Sequence, residues 1–568
     1  MALVINTNVS SLTAQRALAE SNAELQTAME RLSTGSKINS AADDAAGLAM
    51  TQRMTAQVKG LAMAVKNAND GQALTQSIEG ALGEVSDMLQ RMRELALQAA
   101  NGTNSAADRT FLQSEVNLLI QEISRVATNT RYNGELILDG TFLNKSLQVG
   151  IEEGENIIFS VESVAAESVG AHTLVGNGIG ASPAAATAAD NPTTIEDDIE
   201  IFGFLGTRST EASSNDSAKQ TAVKINNLTG ETGVKAYAKT YASLASSNAT
   251  AKTYSVKING YSTGNFVISS GDVESAVDAI NQISGSTGVT ASSSGNKVVL
   301  FDADGDDITV ENTQTLAGHS DLVVSKLGED GLVTNVVGQS ISLAVSGGND
   351  ATRVTGTIKM VSANPFSIDQ KFAMTGAATV DTTLNDAAAA SGDTSITFTS
   401  AADFGIGDAF RIDGETTPTT HYITNIVGAV VTFTPALTSN VADGQEIYKD
   451  TGYYSDAAST SSLKNLTQIN INTAIQAGDS ISIIDAALDK VAQMRSDLGA
   501  IENRLAYTVS NLMNIAEKTA DARSRLDDAD YALESARLAK AQVVQQAGTS
   551  MLAQANQMTQ LVLDLLRG

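Results

Sequence analysis

VAQMRSDLGAIENRLAYTVSNLMNIAEKTADARSRLDDADYALESA, residues 491–536, decides the fold class of this chain. Val491, Leu498, Leu505, Leu512, Thr519, Leu526 and Leu533 recur in it every seven residues. Met494, Ile501, Thr508, Ile515, Ala522, Ala529 and Ala536 follow three residues behind. Two such tracks make the a/d seam of a coiled-coil-type helix, because this repeat keeps one narrow apolar stripe on one face. The seam resumes at Val544 and continues through Ala547, Met551, Met558, Leu561 and Leu565. The step from Leu533 to Val544 is a stutter, which locally unwinds a left-handed supercoil and predicts a joint at 533–544. An unbroken helix over 485–567 would span roughly 120 Å at about 1.5 Å per residue.

The amino end mirrors this pattern. Val4, Leu18, Leu25 and Leu32 share a seven-residue track, with Ala14 and Ala28 at the companion positions. RLSTGSKINSAADD (31–44) interrupts it, and its paired acids sit near a helix start, where they favour the dipole. A second helix aligns Ile78, Leu82, Val85, Leu89, Met92, Ala96 and Ala99; NGTNS (101–105) breaks it. A third places Leu112, Val116, Leu119, Ile123 and Val126 on one face, and Tyr132–Val164 turns strand-like in LILDG and SLQVG. A lone amphipathic helix cannot bury its stripe, so the two ends are expected to pair with each other and with further copies. The assembly seam is assigned to Leu18, Leu25, Leu32, Leu498, Leu505, Leu512, Leu526, Leu533, Val544, Met551, Met558, Leu561 and Leu565.

The 568-residue chain holds 64 acidic against 36 basic side chains, a formal charge of −28. Residues 151–455 carry −22 of it, while the ends are nearly balanced. Such acidity argues against nucleic acid or an anionic membrane as partner, since polyanions bind basic surfaces. No apolar run is long enough for a membrane span or a signal-peptide core. Cys is absent, which excludes disulfides and thiolate chemistry. All five prolines lie in the middle, leaving the ends free of helix breakers.

The middle is a different kind of sequence, rich in Val, Ile and Thr and punctuated by Gly, Asn and Asp. INNLTGETGV (225–234) and INQISGSTGV (280–289) repeat one pattern, which points to a duplicated α+β unit. A further β-rich stretch runs from about Thr394 to Tyr448. FDADGDDITVE (301–311) gathers Asp302, Asp304, Asp306 and Asp307, but its Gly and Glu miss the EF-hand positions, so a hairpin turn is expected there. His172, His319 and His421 stand far apart, and no phosphate loop, G-x-S-x-G or dinucleotide fingerprint occurs. No catalytic, cofactor-binding or metal-binding residues are assigned.

Both ends resemble the bacterial flagellins, subunits of the flagellar filament. The resemblance rests on MALVINTNVSSL, RLSTGSKINSAADDAAGLA (31–49), NANDGQALTQSIEGAL (67–82), QRMRELALQAANGTNS (90–105) and RYNG (131–134). RSDLGAIENRL (495–505), ARSRLDDADYA (522–532) and AQVVQQAGTSMLAQANQ (541–557) complete it, so about half the chain is covered. The implied fold is mixed and multidomain: a long α-helical coiled-coil core of paired N- and C-terminal segments with a β-hairpin region, plus an inserted α+β and all-β variable region. The expected domains are 1–42 with 529–568 (innermost coiled coil), 43–175 with 456–528 (helical rod with hairpin), 176–320 (duplicated α+β insert) and 321–455 (β-rich outer insert).

The resemblance further implies an extracellular structural subunit, not an enzyme, that forms a helical homopolymer for swimming. It implies type III export without a cleaved signal peptide, an export chaperone on the carboxyl-terminal helix, and contact with filament-cap and hook-junction proteins. Switching between supercoil forms is also implied, with the 533–544 stutter as the candidate joint. The alternatives are a hook–filament junction protein, or an adhesin or enzyme displayed in the insert. Receptor-activating flagellins meet a vertebrate Toll-like receptor through a helix bearing Q-R-x-R-E-L and a Glu on the next helix. Gln90, Arg91, Leu95 and Glu115 match those positions. Arg91 and Leu95, four residues apart, are expected to share one exposed face with an Arg anchor.

Overall fold

The computed structural model describes residues 8–567 except 179–181, 185–187, 189, 192, 194–196, 247–249, 270, 315–321, 346–349, 371–381, 387–388, 402–403, 405–408, 417–418, 420, 450–451 and 455–458. For 182–184, 337–339, 409, 449 and 558–567 it describes the backbone alone. Terminal helices and a strand-rich insert form two compact units. One comprises residues 1–81, 131–162 and 495–568; the other comprises 82–130 and 163–494.

In the first unit, α1 (Val9–Thr34) pairs with the terminal helix Tyr531–Arg567. Asn8 caps α1 by accepting the Ser11 N–H, and Gly35 closes it at φ +73°, a left-handed conformation that a side chain would strain. Leu18, Leu25 and Leu32 are half-buried, yet the fully buried positions of α1 are Ser11, Ser21 and Ala28. Ser21 Oγ donates to the Ala541 carbonyl at 3.1 Å, and Ser11 Oγ to Asn556 Oδ1 at 3.0 Å. Gln545 Nε2 donates to Asn22 Oδ1 at 2.8 Å, and Arg31 pairs with the buried Glu534 at 3.4 Å. Gly548 brings the helices close: a Cβ there would lie 3.3 Å from Leu18.

The seam facing α1 is therefore Glu534, Leu538, Ala541, Gln545, Gly548, Leu552 and Ala555, which with Ser535 are the buried and half-buried positions among the described side chains of the terminal helix. This corrects the sequence reading. Leu533, Val544 and Met551 lie on another face and are exposed, Met551 by 67%. Small and hydrogen-bonding residues at the fully buried positions let the two backbones approach, with Leu18, Leu25, Leu538 and Leu552 half-buried beside them. Side chains of Met558, Leu561 and Leu565 lie outside those described.

The joint is also corrected. Helix is continuous over 533–544, and the break falls at 528–530, between the helices Ala474–Asp527 and Tyr531–Arg567. There Ser36 and Asp528 form an antiparallel bridge, reinforced by Ala529 N–H to Gly35 O at 2.9 Å. Asp530 starts the next helix by accepting the Ala532 and Leu533 N–H groups. The unbroken helix of 485–567 is thus two helices meeting a second chain crossing.

Within the same unit, Leu498, Leu505 and Leu512 are buried and Leu526 is half-buried. Leu505 meets Ala68 of α2 (Ala45–Ala100) together with Val149 and Ile157 of a hairpin, Lys145–Gln148 against Asn156–Phe159. Gly71 and Gly60 of α2 admit Leu147 and Ile151 of that hairpin, at a helix-propensity cost of about 1 kcal/mol each that hairpin packing offsets. Asp44 Oδ1 caps α2 at the Gly47 N–H. The RYNG turn is a tight hairpin with Asn133 and Gly134 both at positive φ.

The second unit joins the end of α2, α3 (Ala106–Asn129) and the start of the helix Ala474–Asp527 to four larger sheets. An eight-stranded sheet centres on Lys235–Ser246, which pairs with Lys297–Asp302, Leu322–Leu327 and Thr357–Ser362; the last pairs with Gly170–Gly176. Strands from both sides of residue 320 thus share one sheet, so the expected boundary between 176–320 and 321–455 does not exist as drawn. The 175 and 455 boundaries also cut this sheet, which includes Ser462–Asn465. Within this unit, residues 382–449 contribute a six-stranded sheet with its own core, which includes Phe398, Phe404, Phe410 and Phe433.

The duplicated pattern builds two equivalent units. Ala218–Asn227 with Thr229–Thr232 leads into the strand Lys235–Ser246; Glu274–Asn281 with Ser284–Thr287 leads into Val289–Ser294. Asn226 accepts from Ala236 N–H at 2.7 Å and donates to Ala236 O at 2.9 Å. Asn281 does the same to Ala291 at 2.8 and 3.0 Å. Gly233 and Gly288 both turn the chain at φ +75°.

Candidate protein-interaction surfaces

The acidic turn of the insert is already engaged. The 301–311 segment is no hairpin, because Lys297–Asp302 and Ile308–Asn312 belong to different sheets. Asp302 accepts three backbone N–H groups of the turn, those of Asp304, Gly305 and Asp306. Lys219 holds Asp304 and Asp306 at 3.1 and 2.8 Å, and Arg353 holds Asp307 at 2.9 Å. These carboxylates therefore neutralise protein cations. Among the described residues no group of three or more His, Asp or Glu could hold a metal ion. His421 is buried, its ring bonded to Glu415 and the Pro435 carbonyl; His319 lies outside the described residues. No described helix is long and apolar enough to cross a membrane.

The α2–α3 surface is built from two capped helices. Ser105 and Asp108 form a reciprocal capping box at the start of α3, and the bonds from Ser105 hold the Asp108 carboxyl below its usual value. Arg109 donates to the Ala99 and Asn101 carbonyls, satisfying orphan acceptors at the end of α2. These contacts fix the two helices side by side. Arg91 then reaches Glu115 at 2.9 Å and Glu94 at 2.9 Å. Hydrogen bonds to Glu94 and Glu115 hold the guanidinium above its ordinary value.

Gln90, Arg91 and Glu115 are thus brought to one accessible surface. Leu95 is not: it is 1% exposed, in line with the buried Met92, Ala96 and Ala99. A shift of four residues turns a helix about 40°, and here that turn carries Leu95 from the exposed margin into the core. Sequence reading missed Phe111 and Leu118, exposed by 74% and 65%, which flank Glu115 on one face of α3. Their seven-residue spacing was visible, but they lie off the Leu112–Val126 face that the apolar count favoured.

Two family models match the chain, the bacterial flagellin N-terminal helical region over residues 5–142 and the C-terminal helical region over 481–566. A flagellin of Salmonella typhimurium is 33% identical over the whole of both chains. The chain belongs to the bacterial flagellin family. The B-type flagellin of Pseudomonas aeruginosa is 31% identical, again over the full length of both. A flagellar hook-associated protein-3 structure from Legionella pneumophila is 14% identical, covers 84% of this chain and 98% of its own, and has a TM-score of 0.29. Membership in the flagellins makes this a structural protein of the bacterial flagellar filament, outside the cell. The flagellin termini are its helical ends, and the strand-rich insert lies between them.

Proposed function

We propose that this flagellin is exported unfolded through the flagellar type III apparatus and polymerises by burying the apolar face that its own helix pair leaves out. One observation carries this reading: Leu533, Val544 and Met551 are exposed although they continue a seam register. Exposed apolar stripes of this kind mark association surfaces. Leu561 and Leu565 extend the register toward the carboxyl end, where an export chaperone would cover it before assembly. The filament cap and hook-junction proteins would meet the same terminal helices at the two ends of the polymer. The innermost domain is proposed as 1–42 with 529–568, and Leu498, Leu505 and Leu512 as its continuation into the helical region.

Seeded elongation tests this. Monomer added to filament fragments at micromolar concentration should extend them, and the triple variant Leu533→Glu, Val544→Glu, Met551→Glu should not, while its helical circular dichroism is unchanged. Extension by the variant at the parental rate refutes the reading.

The α2–α3 surface supports a second role, recognition by the vertebrate Toll-like receptor for flagellin. Arg91 and Glu115 supply a charged anchor and Phe111 and Leu118 supply exposed apolar area, the mixture typical of binding hot spots. Changing Arg91 and Glu115 together to Ala should lower receptor signalling by monomer at least tenfold; an unchanged dose response rejects the role.

A further inference from the structure

The strand-rich unit holds a cleft that neither filament assembly nor the α2–α3 surface uses. It has a volume of about 220 Å³ and lies between the strand Lys235–Ser246 and residues 482–493 of the helix Ala474–Asp527. Strand alternation places Lys235 and Tyr237 on one face. Ser482, Asp485, Asp489 and Gln493 recur at three- and four-residue steps and share the opposing helix face. Phe204 and Leu205, at the tip between the strands Ile199–Phe202 and Thr207–Ser209, also line it, as do Ser362 and Asn364.

Charges in the cleft are matched from within. Asp485 is paired with Arg93, Asp489 lies 3.7 Å from Lys235, and Lys490 donates to Asn364 Oδ1 at 3.0 Å. A strongly charged ligand would have to displace one of these partners. Two kinds of accessible surface face each other. Phe204, Leu205 and Tyr237 expose apolar area, Tyr237 by 42%. Against them stand the exposed Asp489 carboxylate, held by its long ion pair, and the Gln493 amide, whose Oε1 accepts from Asn364 Nδ2 at 3.2 Å, while the Ser362 and Ser482 hydroxyls donate to backbone carbonyls. An apolar face opposite a hydrogen-bonding edge matches a sugar ring, whose C–H face packs on aromatic or aliphatic carbon while its hydroxyls bridge carboxylate and amide groups. The volume is below the about 300 Å³ at which drug-sized ligands begin to fit, which limits the occupant to one ring.

We propose that this cleft binds a single neutral hexopyranose unit, with its C–H face on Tyr237 and its hydroxyls on Asp489 and Gln493. The site is independent of the assembly reading. Saturation-transfer NMR on the full-length monomer tests it, using the methyl glycosides of glucose, galactose, mannose and N-acetylglucosamine at millimolar concentration. At least one glycoside should receive saturation at its ring C–H protons, and Tyr237→Ala should weaken its binding tenfold or more. Asp489→Ala, on an exposed helix face that cannot threaten the fold, should weaken it comparably, and Phe111→Ser on the distant α3 face should not. The proposal is overturned if none of the four glycosides binds, or if binding survives both Tyr237→Ala and Asp489→Ala.

Discussion

Arg91 and Leu95 stand one helical turn apart on α2 and meet opposite environments. Arg91 is exposed and bridged to two carboxylates, and solvent screens exposed pairs of this kind so that they add little to stability. Leu95 sits among buried neighbours, where truncation costs about 2–5 kcal/mol. Leu95→Ala should therefore lower the denaturant midpoint of the monomer clearly and Arg91→Ala hardly at all; equal effects in urea unfolding would contradict the burial. Asp479 gives a pH signature. Burial alone would raise its carboxyl, but Lys359 and Lys239, at 2.7 and 3.1 Å, together hold it below the ordinary value. A depressed folded-state value stabilises the fold above the unfolded value of about 3.9 and loses that contribution as pH falls through the folded one. Asp479→Asn should cost about 2–3 kcal/mol near neutrality, at the lower edge for a broken buried pair because Asp479 keeps some exposure. Thermal melts of the two proteins should converge only as pH falls below the depressed folded-state value; a constant gap would assign the loss to packing. Lys326 was illegible at this scale. In VVSKL it reads as a surface charge on a strand, but it is fully buried, donates to Thr355 Oγ1 and the Asn177 and Gly356 carbonyls, and is pushed by burial down to about 7.

Among elements, heptad counting located the helices because period is a local property of the chain. It did not choose the faces. Ser11 and Ser21 occupy seam positions of α1, and Glu534 and Gln545 those of its partner, which an apolar tally must skip. The break was written in LDDAD (526–530), whose last Asp begins a helix, but the tally ran through it from Leu526 to Leu533. In the duplicated units the repeat was legible and the role of its Asn was not, since the Asn bonds a strand residue ten positions on, after the chain has turned back. Each Asn makes two backbone bonds, worth about 0.5–1.5 kcal/mol apiece. Asn226→Ala and Asn281→Ala should each destabilise by about 1–3 kcal/mol. The double variant should show the sum, because the sites share no partner; strong non-additivity in chemical denaturation would show the two units to be coupled.

Across the whole molecule, the charge asymmetry and the division into helical ends and strand-rich middle were readable from composition. The partition of the middle was not. Sheet neighbours such as Leu322–Leu327 and Lys235–Ser246 are about eighty residues apart, a distance that local pattern does not span. The exception is the 382–449 segment, whose buried aromatic cluster comes entirely from residues within it. Replacing 382–449 with a short Gly/Ser linker should remove one calorimetric transition and keep the helical signal; aggregation of the shortened chain would show that the sheet supports its surroundings.

The polar, small-residue seam between α1 and the terminal helix has a kinetic consequence. Its fully buried positions are small or polar, and Leu533, Val544 and Met551 stay exposed, so the proposed assembly leaves further apolar surface to be buried only when other copies arrive. Two free chains meeting must both order their ends against each other. A chain arriving at an existing tip meets a template that is already ordered. On the proposed assembly, spontaneous nucleation should therefore be slow and addition at a tip fast, which would confine growth to the place where a filament already stands.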